Sequence, residues 1–230
     1  MRVKIRNARL SDIAQLRAME ERVWKETPAT EEMLASRIQT FPEGNLIALF
    51  KGENKIVGYL SFIFIDYDFD NPVIKTWAEI TDNGMCKGSH SLSNPVMFGV
   101  TMTVDESYQN KGIATRLMMA GWALIIRHNK KACLFGARCP DYHKYSKEMT
   151  VEEYVFKRRP DGQALDPEIR LYEREKFEFV TIVPNYIQDK ESCNYGILMG
   201  RKLPLYGYPS FIRYPIASLI KRLGPRLFGW

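Results

Sequence analysis

Residues 109–115, QNKGIAT, hold the densest chemical information in this chain of 230 residues. Gln109, Asn110 and Lys111 make a short polar turn, Gly112 has no Cβ, and Ala114 is small. Apolar residues then recur at Ile113, Leu117, Ala120, Leu124 and Ile125, close to helical spacing. Ahead of the turn, residues 97–104 carry no charge and read as a buried strand ending at Asp105. Strand, turn and helix start together let a ligand approach the backbone and meet the first free N–H groups of the helix. Such a turn suits a pyrophosphate. The helix dipole contributes about 0.3–1 kcal/mol for an exposed anion, and Lys111 adds a full positive charge. On the residues alone, a close-packed strand-to-helix crossover that binds nothing stays open.

In this setting Gln109-x-x-Gly112-x-Ala114 resembles the acyl-coenzyme-A signature of the GCN5-related N-acetyltransferase (GNAT) superfamily. Residues 1–24 resemble the first strand and helix of that family, and 171–177, LYEREKF, resemble its late tyrosine-bearing helix end, so the resemblance covers 3–202. Arg138-x-Pro140-x-Tyr142, Asp166-Pro167 and Pro184-Asn185-Tyr186 resemble a branch often attached to carbon–nitrogen hydrolase domains. The resemblance implies an α/β (α+β) fold. Its mixed, mostly antiparallel central sheet has about seven strands, flanked by helices and split near the central strand. That domain spans 1–202, and a basic, aromatic C-terminal extension spans 203–230. The resemblance further implies acetyl transfer from acetyl-CoA to a primary amine by direct attack, with no metal. A GNAT-like acyltransferase or decarboxylase acting on carrier-protein acyl groups, and a non-catalytic acyl-CoA-binding module, are the alternatives.

Acyl transfer from a thioester to an amine needs a neutral amine, a polarised carbonyl and a protonated leaving thiolate. The resemblance places a strand bulge, with a backbone N–H facing the carbonyl, at Met102, Thr103 and Val104; an unbroken strand is the alternative. It places cofactor contacts at Gln109, Asn110, Lys111, Gly112, Ile113, Ala114 and Thr115. It puts Tyr172 where a phenol protonates the coenzyme-A sulfur, although Lys176 stands where the family has Gly. A core tyrosine is the alternative. Glu79 and His90, before the central strand, are the candidate bases, against a salt-bridged glutamate, a solvated histidine or a water chain. Cys139 as a nucleophile would need a neighbouring cation or helix start.

The elements that must position these residues follow in chain order. A strand over 3–9 leads to a helix with Ser11 as N-cap and Ile13, Leu16, Met19 and Val23 on one face. A second helix begins after Thr30 and stops near Phe41 and Pro42. A hairpin joins 45–51 to 55–65, and a long polar segment spans 66–95, in which 77–81 reads as a short strand or turn. After the central helix come a strand over 132–137, a polar insertion at 138–165, a short helix from Pro167 to Glu175, and strands over 177–183 and 195–201.

The four cysteines show neither paired nor metal-ligand spacing with the three histidines, so reduced thiols in a cytoplasmic compartment are expected. The net charge of +6 lies in the tail: residues 201–230 hold six basic residues and no acid, leaving 27 basic against 27 acidic elsewhere. That argues against a general nucleic-acid-binding surface. In the tail, residues 215–225 read as a short amphipathic helix surrounded by Tyr206, Tyr208, Phe211, Tyr214, Phe228 and Trp230. Such a segment suits an anionic inner membrane surface, a homodimer contact, or packing on its own domain.

Overall fold

The computed structural model describes residues 3–24, 26–50 and 52–227. Seven strands form one sheet: β1 (Val3–Asn7), β2 (Asn45–Phe50), β3 (Lys55–Ile65), β4 (Val96–Val104), β5 (Ala132–Arg138), β6 (Glu178–Val183) and β7 (Gly196–Lys202). Their order is β1-β2-β3-β4-β5-β7-β6, and β4 with β5 is the parallel pair among antiparallel ones. A parallel pair needs a crossover, which α4 (Ile113–Arg127) supplies.

Alternation along β2 and β3 divides the core. Ile47, Ile56 and Tyr59 face α1 (Ile13–Val23) and α2 (Glu31–Thr40), packing with Leu16, Met19, Leu34 and Ile38. Ala48, Leu60 and Phe62 face the other way, onto Ile113, Leu117 and Ala120 of α4. The sheet is therefore covered on both faces, and its middle strands read as continuous apolar runs.

The β4 and β5 ladder is short. It pairs Val96–Gly99 with Ala132–Phe135 and stops. At its last rung the Phe135 ring lies across Gly99, where a Cβ would come within 2.1 Å of that ring. Opposite β3, Ser61 pairs with Thr101 and Phe62 with Gly99, so Val100 is an extra residue bulged out of the ladder. Beyond this point β4 and β5 diverge.

Several local expectations change. Residues 77–81 form a helix, α3 (Trp77–Thr81), because Thr76 and Glu79 close a capping box. Ser11 sits inside the single 3-10 turn Leu10–Asp12 and is not the cap of α1; Asp12 precedes that helix and accepts the Arg9 N–H at 2.8 Å. The insertion contains α5 (Val151–Phe156), followed by α6 (Pro167–Arg174). The tail helix, α7 (Ser210–Leu227), begins before Pro215. That proline falls on the solvent side, where water can take the Phe211 carbonyl its missing N–H leaves free. Phe228 and Trp230 lie outside the described residues.

Candidate active site

The divergence of β4 from β5 opens a cavity of about 890 Å³, within the range of small-molecule sites. Gly99, Val100, Thr101 and Met102 form one wall, and Phe135, Gly136 and Arg138 form the other. Tyr172 and Glu168 of α6, Glu20 and Trp24 of the α1 region, Arg37 of α2 and Trp77 of α3 complete the lining. On its β5 side β4 has no partner beyond Gly99, and there it offers unladdered backbone to the cavity. The bulge is at Val100 rather than at Met102, Thr103 and Val104, whose pairing with β3 is unbroken; it follows Gly99, whose missing Cβ makes room for the Phe135 ring. Trp77 Nε1 donates to the Val100 carbonyl at 2.9 Å and holds the bulge in place.

The turn after β4 is built as a cradle. Asp105 accepts the Ser107 N–H at 3.1 Å and pairs with Arg22 at 3.1 Å and Lys55 at 3.4 Å, which fixes the strand end. Tyr108 lies under both Lys55 and Lys111. Asn110 and Gly112 take left-handed conformations, with φ of 57° and 71°. Gly112 caps α4, and the first helical bond shown runs from the Arg116 N–H to its carbonyl. The N–H groups of Ile113, Ala114 and Thr115 thus precede the first bond and face the turn. A Cβ at Gly112 would meet nothing within 4 Å, so the space over the turn is open. Lys111 Nζ donates to the Ser107 carbonyl at 2.6 Å, holding its charge beside the turn. Gln109 and Met102 line the cavity; Ile113 buries its side chain in the core and offers only backbone.

Tyr172 lines the same cavity, its ring 5.7 Å from Phe135 and 5.4 Å from Phe177. Lys176 takes the left-handed conformation (φ 64°) that glycine would favour after this helix, so the turn closes without Gly. Burial raises the Tyr172 phenol well above its usual range, keeping its proton.

Neither sequence-nominated base lines the cavity. Glu79 is exposed, and its carboxylate takes the Thr76 N–H at 2.7 Å and hydroxyl at 2.8 Å as the cap of α3. His90 stacks on Phe41 at 4.3 Å and accepts the Phe64 N–H through Nδ1 at 3.1 Å. Desolvation, helped by the charges of Lys130 and His128, lowers its pKa to about 4. Cys139 is a buried thiol with its pKa raised by desolvation.

The carboxylate at the cavity wall is Glu20, 2% exposed. Its Oε1 accepts from Thr103 Oγ1 at 2.7 Å, and that hydroxyl in turn accepts from Trp24 Nε1 at 2.8 Å. Desolvation raises the Glu20 pKa, opposed by the Thr103 hydrogen bond and the Arg37 charge. The sequence did hold a signal: Glu20 is four residues after Leu16, an ionisable group on the inward stripe of α1. Arg37, also 2% exposed, donates Nε to the Gly84 carbonyl at 2.7 Å and lies 5.7 Å from the Trp77 ring. Arg138 is held by Glu168 at 3.1 Å and Asp189 at 3.7 Å, stacked on Trp24 at 5.1 Å. Among the described residues no group of three or more His, Cys, Asp or Glu could hold a metal ion.

Residues 10–132 match the model of the acetyltransferase (GNAT) family. The chain is 34% identical over 207 residues to the uncharacterized N-acetyltransferase YkwB of Bacillus subtilis (strain 168), covering 88% of this chain and 89% of that one. It is 36% identical over 174 residues to the probable hydrolase YhcX of the same organism, covering 75% of this chain but only 33% of that relative. Among solved structures, the GphF GNAT-like decarboxylase in complex with isobutyryl-CoA superposes with a TM-score of 0.71 at 22% identity, over 86% of this chain and 98% of that one.

Proposed function

The chain belongs to the acetyltransferase (GNAT) family, and from that premise we propose that it moves an acetyl group from acetyl-CoA to a primary amine by direct attack in the β4/β5 cavity. The observation that carries this is that Gln109, from the turn that leads to Gly112, lines the same cavity as the Val100 bulge; in this reading pyrophosphate sits at the α4 N-terminus, the thioester at the bulge and the amine beyond it.

In this reading the amine enters as an ammonium ion and gives a proton to Glu20, whose Thr103 hydrogen bond aims the carboxylate. The nitrogen lone pair forms the N–C bond while unladdered β4 backbone donates to the developing oxyanion. The C–S bond then breaks as the Tyr172 hydroxyl protonates the departing thiolate; the surplus proton of the attacking nitrogen leaves through water and restores the phenol, and Glu20 releases its own proton to solvent. Acceptor access runs past a second hollow of about 290 Å³, rimmed by Glu26, Glu106, Asp189 and Glu191 against Arg138 and Lys190. That balance favours a cation on approach. A carboxylate-bearing thioester, as decarboxylation would require, finds Arg138 already paired with Glu168 and Asp189.

Melting temperature with and without acetyl-CoA tests the cofactor site, using wild type and Gly112→Glu. A ligand at a hundred times its dissociation constant stabilises by about 2.7 kcal/mol. A shift in wild type that the variant lacks supports the cradle, and no shift in either rejects it. Thiol release that depends on added amine identifies the transferase. Carbon dioxide from a malonyl thioester identifies the decarboxylase, and binding without either reaction identifies a non-catalytic module.

A further inference from the structure

Helix α7 packs one face on α4 and leaves the other bare. Ala217 is fully buried against Ala123 and Ile126, and Ile220 packs beside them. Arg213 Nη1 donates to the carbonyls of Ile126 at 2.7 Å and Arg127 at 2.6 Å, closing the C-terminal end of α4. The opposite stripe, Phe211, Tyr214, Pro215, Ser218, Leu219 and Arg222, is exposed, with Phe211 at 75%. Tyr206 and Tyr208, just before the helix, are exposed as well. Aromatic and aliphatic side chains backed by basic ones, on a helix lying along the domain surface, have the composition of an interfacial helix.

The charge around this face narrows what can cover it. Residues 201–230 contain no acid, and residues 113–131, which form α4 and its following turn, contain Arg116, Arg127, Lys130 and Lys131 and again no acid. The exposed Lys221 and Arg222 therefore have no carboxylate on either packed helix. A second copy meeting this face about a two-fold axis would bring the same basic, acid-free helices against each other, with no carboxylate on them to offset the charge. A negatively charged layer that also accepts aromatic rings relieves both the charge and the exposed apolar area. We propose that the Phe211, Tyr214, Leu219 face docks on an anionic lipid surface. It lies on that surface rather than crossing it, since no helix among the described residues is long and apolar enough to span a membrane.

The test is flotation of the full chain with vesicles of phosphatidylcholine alone and of phosphatidylcholine with phosphatidylglycerol. Binding to the anionic vesicles, weakened by salt and absent from the neutral ones, is expected. Phe211→Glu lowers the partition coefficient about tenfold or more, and so does the pair Lys221→Glu with Arg222→Glu. All these positions are exposed, so unchanged melting temperatures show that the variants fold. No flotation of folded wild type with anionic vesicles overturns the proposal, as does equal flotation with both vesicle types. A wild-type dimer that Phe211→Glu converts to monomer overturns it in favour of a second copy. The acyl-CoA thermal shift is read separately, so this test is independent of the transfer reaction.

Discussion

At the scale of residues, the proposed reaction rests on the buried carboxylate of Glu20, and its neighbours decide its pKa. Burial disfavours its charged form, so its folded pKa lies above its unfolded value. Its contribution to stability is therefore present below the unfolded pKa and lost as pH rises through the folded one. Glu20→Gln removes that loss: its melting temperature equals or exceeds wild type at alkaline pH, and the advantage shrinks in acid. Its kcat falls by about 10²–10⁴. A merely structural glutamate would show the stability change without the rate loss. Tyr172→Phe keeps the ring packing against Phe135 and Phe177 and lowers kcat by about tenfold or more, with KM for acetyl-CoA little changed. The sequence named Tyr172 and passed over Glu20 for a physical reason. Tyr172 belongs to a local helix-end pattern, whereas Thr103, the partner of Glu20, is 83 residues away. Glu79 drew attention for being acidic near the site, although Thr76-x-x-Glu79 spells a capping box that occupies it locally.

At the scale of elements, the site is the consequence of one short parallel ladder. β4 and β5 stay together for the four rungs ending at Gly99 and Phe135 and then part. Trp77 holds the bulge open from α3, so Trp77→Phe leaves the Val100 carbonyl without its donor and costs about 1–3 kcal/mol, measured by urea unfolding. Its kcat/KM falls more than its stability accounts for if the bulge geometry serves the thioester. The strand, the turn and α4 were legible because each is written in contiguous residues: an uncharged run, Gly112, then a helical stripe. The bulge was expected at Met102 to Val104 and stands at Val100, next to the Gly99 on which Phe135 of β5 packs. Gly99 marks that packing in the β4 sequence, but which residue of β5 lies across the glycine cannot be read there.

At the scale of the whole molecule, seven strands flanked by helices surround one cavity where β4 and β5 part, and the proposed function assigns its Gln109 end to the cofactor and the region of Glu20 to the acceptor. The family resemblance, carried by motifs distributed over the first 202 residues, anticipated that architecture. The tail was harder, since Pro215 read as a helix start while packing on α4 draws the helix back to Ser210. Arg213→Ala strips the end of α4 of two side-chain hydrogen bonds, both from Nη1, and destabilises by about 2–3 kcal/mol, seen as a drop of several degrees in melting temperature. The proposed function turns on one event, acyl transfer onto nitrogen beside Glu20. The most direct measurement supplies acetyl-CoA labelled in its acetyl group, with a panel of primary amines, and follows both thiol release and the label. Wild type is predicted to place one label on the amine nitrogen for each thiol released, and Glu20→Gln, folded and binding acetyl-CoA normally, to do neither at a comparable rate. Thiol release that ignores the amine, or a Glu20→Gln enzyme that transfers at the wild-type rate, would contradict it.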